Sequence, residues 1–158
     1  VCVRAQAFGM RVIAHDPFPD DAFAIAHDVK FVSMMELLAQ SDVISLHAAT
    51  SGADRPLIGP DEIKEMKPGA FLINTSRGSL VDEAALATAL SEGRLGGAGL
   101  DVFIAEPPVG SPLLGLPNVV ATPHMAGQTH GGLLRMGEMT VKNCLRALRG
   151  EPPLYQVH

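Results

Sequence analysis

Three residues of this chain carry side chains that together can hold a small anion and move a proton on it, and each follows a short apolar run. Arg77 ends the stretch "FLINTSR", Glu106 lies five residues beyond Asp101 in "GLDVFIAEPP", and His124 follows "NVVATP". A guanidinium stays charged at any working pH, and its fork matches a carboxylate through two parallel hydrogen bonds. A histidine acting as acid and base near neutral pH gains from a carboxylate neighbour, which fixes the imidazole tautomer and stabilises the imidazolium. Taken singly, each residue has a plainer explanation. Arg77 can be a surface arginine paired with Asp82 or Glu83, Glu106 a loop carboxylate ahead of Pro107-Pro108, and His124 a helix-start histidine after Pro123. An Arg, a Glu and a His after three successive runs fit those separate explanations much less well.

Asp16 is a fourth candidate, because it ends the short run 11–15. At the end of the second strand of a mononucleotide-binding half, an acid can accept hydrogen bonds from an adenosine ribose. It also repels a 2′-phosphate, which favours NAD over NADP. The plainer reading is an Asx turn before Pro17. His15, His27, His47 and His130 are read as structural, with His47 satisfying backbone locally, and no pair has the spacing of a zinc site.

These groups need elements to position them. The chain alternates β-rich runs (11–15, 30–32, 42–48, 71–74, 97–103 and 118–122) with helical stretches. The helices are expected at 3–8, 20–27, 34–40, 60–66, 83–92 and about 129–148. Ser33 with Glu36 spells a capping box, Asp82 is an N-cap, and Gly9 and Gly93 are stops. Such alternation predicts βαβ units and a parallel sheet, hence an α/β doubly wound domain. In an open parallel sheet, ligands bind at the carboxyl ends of the strands. Those ends are where Asp16, His47, Thr75, Ser76, Arg77, Asp101, Glu106 and His124 fall. The loop 106–117 is too long for a simple turn.

Composition narrows the partners. The chain has 158 residues, 47% of them apolar, 18% charged, and a net charge of −5 without a basic cluster. That suits a globular domain with its own core, and makes nucleic acid and anionic membrane poor partners. No apolar stretch approaches the ~20 residues of a membrane helix. Cys2 and Cys144 lack metal-ligand spacing, and no metal is expected. They read as buried free thiols of a reducing, cytoplasmic compartment, with one disulfide as the alternative.

The segments "HDPF", "LHAATSGADRPLIG", "MKPGAFLINTSRGSLVDEAAL", "GAGLDVFIAEPP" and "NVVATPHMAGQT" resemble the D-isomer-specific 2-hydroxyacid dehydrogenases, in order and over nearly the whole chain. That group includes D-3-phosphoglycerate dehydrogenase and the glyoxylate and hydroxypyruvate reductases. The resemblance implies a Rossmann-like NAD-binding domain and hydride transfer between NAD(H) and a small 2-oxo or 2-hydroxy acid. It gives Arg77 the substrate carboxylate, His124 the role of general acid/base, and Glu106 the role of its partner. It gives Asp16 the adenosine ribose and Asp101 the carboxamide. It sets Thr75, Ser76 and Arg77 beside the nicotinamide half, with His124, Met125, Ala126 and Gly127 closing over that ring. Ala48 stands where some members have a cofactor-contacting threonine, so a hydroxyl contact is lost while the backbone can still serve. Relatives commonly form homodimers through this domain.

The sequence departs from the family pattern at its start. A G-x-G-x-x-G loop and the strand before it are absent, so the domain is expected to be incomplete at its N-terminus. On this reading residues 1–150 are a partial NAD-binding domain, and 151–158, "EPPLYQVH", turn toward a substrate-binding domain outside the sequence. The piece alone is expected to bind NAD weakly and to turn nothing over. The stop at His158 resembles a short form without regulatory domains. Two alternatives stay open: an NAD-sensing corepressor-like binding protein, and a formate or phosphite dehydrogenase relative.

Overall fold

The computed structural model describes residues 1–49 and 55–155; residues 50–54 of the "LHAATSGADRPLIG" segment and 156–158 of the tail lie outside the described residues. The chain divides into two units, Val1–Pro123 and His124–His158.

The first unit is an α/β arrangement in which every strand pairs in parallel. Its elements are α1 (Cys2–Ala7), β1 (Ile13–Ala14), α2 (Asp21–His27), β2 (Lys30–Phe31), α3 (Met34–Gln40), β3 (Val43–Leu46), α4 (Pro60–Glu65), β4 (Phe71–Asn74), α5 (Glu83–Ser91), β5 (Gly97–Leu100) and β6 (Val119–Ala121). Two short 3-10 turns, Gly78–Leu80 and Pro112–Gly115, complete it. The strands form a β1-β2 pair and a four-stranded sheet in the order β3-β4-β5-β6. This is the doubly wound, Rossmann-like class expected from the strand–helix alternation.

Local chemistry sets the helix starts. The Ser33 hydroxyl accepts the Glu36 amide at 3.2 Å while Glu36 Oε2 accepts the Ser33 amide at 2.9 Å, closing the capping box. Asp20 and Asp82 cap α2 and α5 by accepting the Phe23 and Ala85 amides, each at 2.9 Å. Such caps are each worth about 1 kcal/mol. The strands alternate: in β3 Ile44 and Leu46 are buried while Val43 and Ser45 are exposed. Ile44, Leu46, Leu72, Ala98 and Leu100 form the sheet side of one core cluster, with Leu38 of α3, Ile63 of α4, and Leu86 and Leu90 of α5 in the same cluster.

β4 matches its expected run 71–74, while the other strands are shorter than the runs suggested. The run 97–103 pairs only as far as Leu100, yet Val102 and Phe103 remain buried, so apolar character there serves loop packing and not the ladder. The run 11–15 contributes only Ile13 and Ala14, and among the described residues β2 is the one strand paired with it. The loop after Glu106 is built as expected for its length: the turn Pro112–Gly115 buries Leu113 completely.

The second unit holds α6 (His130–Leu148), close to the expected span, and Thr129 caps it by accepting the Gly132 amide at 3.0 Å. Its tail folds back on the helix end, where Arg146 Nε donates to the Pro152 carbonyl at 2.7 Å and the Leu154 amide donates to Asn143 Oδ1 at 2.8 Å. The cysteine expectation needs correction: both thiols are free, but Cys144 is exposed on α6 and Cys2 only half-buried. No helix of the described residues is long and apolar enough to cross a membrane.

Leu72 is fully buried at the centre of β4. Leu72→Ala is expected to lower unfolding free energy by about 2–5 kcal/mol in urea titration. A loss under about 1 kcal/mol would mean this cluster is not the core.

Candidate active site

Register decides which side chains share an edge. Leu46, Asn74, Leu100 and Ala121 are neighbours across the four-stranded ladder. One residue further on, His47, Thr75, Asp101 and Thr122 therefore stand together at the carboxyl end of the sheet. The last bonds of the ladder are made there, with the Asp101 amide donating to the Asn74 carbonyl and the Thr122 amide to the Leu100 carbonyl, both at 2.9 Å. Parallel strands that stop level leave a row of polar residues on one side, as an open α/β site requires.

Asn74 builds the loop that follows β4. Its side chain is 1% exposed, and both ends of its amide are used on that loop. Oδ1 accepts the Ser76 amide at 3.0 Å, and Nδ2 donates to the Arg77 carbonyl at 2.9 Å. The Ser76 hydroxyl donates to the Ala48 carbonyl at 2.6 Å, tying this loop to the end of β3. Ala48 and Ser76, both candidate cofactor contacts, are thus in direct contact, and the Ala48 carbonyl already has a partner. A buried amide with both ends satisfied rigidifies the backbone around it. Sequence reasoning missed Asn74; the signal was a polar amide closing the otherwise apolar "FLIN".

Arg77 is exposed, and its Nη1 donates to the Ser76 carbonyl at 2.7 Å. The plainer pairing with Asp82 or Glu83 does not occur. Asp82 accepts the Ala85 amide, and Glu83 accepts the Ile104 amide at 2.7 Å. The guanidinium therefore stands at the sheet edge without a carboxylate among the described residues. Asn74 fixes the backbone of this loop while the Arg77 guanidinium stays exposed.

The next residue joins two loops. A Cβ on Gly78 would lie 2.0 Å from the Phe103 carbonyl carbon and 2.2 Å from its oxygen, so only glycine admits this approach. Beyond it, Glu106 is exposed, and its Oε1 accepts the Phe103 amide at 3.1 Å, which orients the carboxylate. Arg77 and Glu106 are thereby carried by loops that touch at one peptide.

The remaining candidates are placed as follows. Asp101 is 4% exposed and accepts the Thr122 hydroxyl at 2.5 Å. Thr75 is exposed at the same edge. Asp16 is exposed and does form the Asx turn, its Oδ1 accepting the Phe18 amide at 2.8 Å. That turn uses one carboxylate oxygen, so it orients Asp16 and is compatible with a ribose contact. His47 pairs with the Ser45 hydroxyl at 2.9 Å and not with backbone. The protein around its ring disfavours the charged form and sets its pKa below the ordinary histidine value.

His124 opens the second unit. Its φ is 51°, a left-handed conformation uncommon outside glycine. Residues 124–127 are all exposed, and the loop is closed by the Gln128 amide donating to the Met125 carbonyl at 2.9 Å. An outlier of this kind at a polar loop after a strand is a common mark of functional backbone.

A dinucleotide suits this donor set. Asp16, two residues beyond β1, is oriented and exposed, the turn after β4 is held by Asn74, and Gly78 lets the loop after β4 approach the Phe103 peptide closely. Among the described residues no group of three or more His, Cys, Asp or Glu is placed to hold a metal ion.

Comparison with known proteins gives a consistent picture. The family model described as D-isomer specific 2-hydroxyacid dehydrogenase, NAD binding domain, matches residues 1–126. The glyoxylate reductase of Korarchaeum cryptofilum is 44% identical over 154 residues, covering 97% of this chain and 46% of that protein. The (S)-sulfolactate dehydrogenase of Chromohalobacter salexigens is 47% identical over 147 residues, covering 92% of this chain and 48% of that protein. The crystal structure of a D-lactate dehydrogenase from Treponema pallidum matches with a TM-score of 0.90 and 33% identity, covering 99% of this chain and 51% of that one. The chain spans about half the length of the curated relatives it matches.

Gly78→Ala is expected to force the Arg77 and Glu106 loops apart. It should cost about 1–3 kcal/mol of stability, the scale of overpacking, read from the urea midpoint. Unchanged stability would show that the contact with Phe103 is not made.

Proposed function

The chain belongs to the D-isomer specific 2-hydroxyacid dehydrogenase family, through its NAD binding domain, and from that premise we propose that the protein carrying it interconverts a small 2-oxo acid and its D-2-hydroxy acid. NAD(H), when bound, supplies or takes the hydride at the carbonyl carbon. The observation that carries the reading is the exposed Arg77 guanidinium, unmatched by any carboxylate among the described residues and held on a loop fixed by Asn74.

The roles of this chain's residues follow. Arg77 grips the substrate carboxylate through its fork of donors and polarises the adjacent carbonyl. In reduction, protonated His124, supported by Glu106, donates a proton to the developing alkoxide; in oxidation, neutral His124 takes it back. Asp16 accepts from the adenosine ribose and disfavours a 2′-phosphate. Asp101 holds the carboxamide, its orientation supported by the Thr122 hydroxyl. By the family resemblance, Thr75, Ser76 and Arg77 run beside the nicotinamide half, the Ala48 backbone contacts the cofactor, and His124, Met125, Ala126 and Gly127 are the residues that close over the ring. Residues 1–150 serve as the nucleotide-binding part, and the segment after them leads toward a substrate-binding domain.

The same reading makes the protein a cytoplasmic homodimer. Free Cys2 and Cys144 accord with a reducing compartment, and the family resemblance supports pairing through this domain. An NAD-sensing binding protein is not favoured, because the relatives are named as reductases and dehydrogenases.

In the whole protein, NADH-dependent reduction is expected with at least one of glyoxylate, hydroxypyruvate and pyruvate. Arg77→Ala and His124→Gln should each cut turnover by about 10² or more. Near-normal turnover in both variants would discard the assignments. Asp16→Ala should narrow the preference for NADH over NADPH by about tenfold, and an unchanged ratio would remove Asp16 from the cofactor site.

A further inference from the structure

The loop that carries Glu106 is held from outside by Glu83, a residue with no role in the chemistry above. Glu83 is the first residue of α5, and its Oε1 accepts the Ile104 amide at 2.7 Å. The preceding amide, that of Phe103, donates to Glu106 Oε1 at 3.1 Å. Two consecutive backbone donors are therefore taken by two carboxylates, one from a helix and one from the loop itself. The Phe103 carbonyl is meanwhile backed by Gly78, where a Cβ would come within 2.2 Å of its oxygen.

A plain structural role accounts for this poorly. α5 is already capped by Asp82, so the helix does not need Glu83. Ile104 is 64% exposed, so water can serve its amide, and a bond to an exposed donor adds little net stability. What the bond does supply is position. α5 is anchored in the core by fully buried Leu86, and a carboxylate on its first residue sits favourably at the positive end of the helix. A short rigid path then runs from Leu86 through Glu83 to the Phe103–Ile104 peptide, and from that peptide to Glu106.

We propose that Glu83 is a positioning residue for Glu106: it clamps the Phe103–Ile104 peptide against Gly78 and so sets where the Glu106 carboxylate points. The clamp also fixes the spacing between the Glu106 loop and Arg77, the neighbour of Gly78. This rests on the dehydrogenase reading, in which Glu106 supports the acid/base.

The test uses Glu83→Ala and Glu83→Gln in the whole protein, with NADH and the 2-oxo acid that the wild type reduces best among glyoxylate, hydroxypyruvate and pyruvate. In Glu83→Ala, amide hydrogen exchange at Ile104 should quicken by about tenfold while the global melting temperature holds. Its kcat should fall by about tenfold with KM for NADH within twofold, as expected of misplacement near the reacting centre. Glu83→Gln keeps a carbonyl acceptor, and should recover most of the lost kcat. Full kcat in Glu83→Ala overturns the proposal, and so does a parallel fall of kcat and melting temperature without recovery in Glu83→Gln. A wild type that reduces none of the three acids sinks the dehydrogenase reading and this proposal with it; an active wild type with an indifferent Glu83→Ala sinks this proposal alone.

Discussion

The parallel hydrogen-bond register of β3, β4, β5 and β6 is the constraint on which the rest of the structure depends. Because Leu46, Asn74, Leu100 and Ala121 are level, the residues after them are level too. A slip of one residue in any strand would exchange its buried and exposed faces, bringing Leu72 or Leu100 out of the core. The core therefore enforces the register, and the register assembles the edge. Polar residues reach that edge without a dedicated scaffold, since they need only follow the last paired position.

Holding those residues still is a separate problem, met by short-range polar contacts. Asn74, Ser76, Thr122 and Glu83 each join a loop or side chain at the edge to a neighbouring segment. Such bonds contribute only about 0.5–1.5 kcal/mol each to folding. Their larger effect is preorganisation: on the proposed function, an Arg77 loop that is already fixed loses little entropy when the substrate carboxylate binds. Among the described residues, the exposed Arg77 guanidinium has no carboxylate paired with it.

Features encoded over three or four residues were legible in the sequence. The Ser33–Glu36 box, the Asp82 cap and the span of α6 are of this kind, because a cap is made by groups adjacent in the chain. The placement of His47, Thr75 and Asp101 directly after strands was legible too, since alternation of strands and helices implies a parallel sheet whose strands end at one edge. Contacts between distant segments were not. Gly78 against Phe103, Glu83 on Ile104, and Ser76 on Ala48 join residues more than twenty positions apart. The end of β5 was overread because Val102 and Phe103 are apolar for packing, and Cys144 was misjudged because α6 buries none of its residues.

The central claim is that His124 and Glu106 act as one unit on a substrate held by Arg77. A double-mutant cycle in kcat/KM for 2-oxo acid reduction, using Glu106→Gln, His124→Gln and the pair together, tests it most directly. The account predicts strong non-additivity, with the double variant no worse than His124→Gln by more than about threefold. Losses that simply multiply, or a Glu106→Gln variant as active as the wild type, would contradict it.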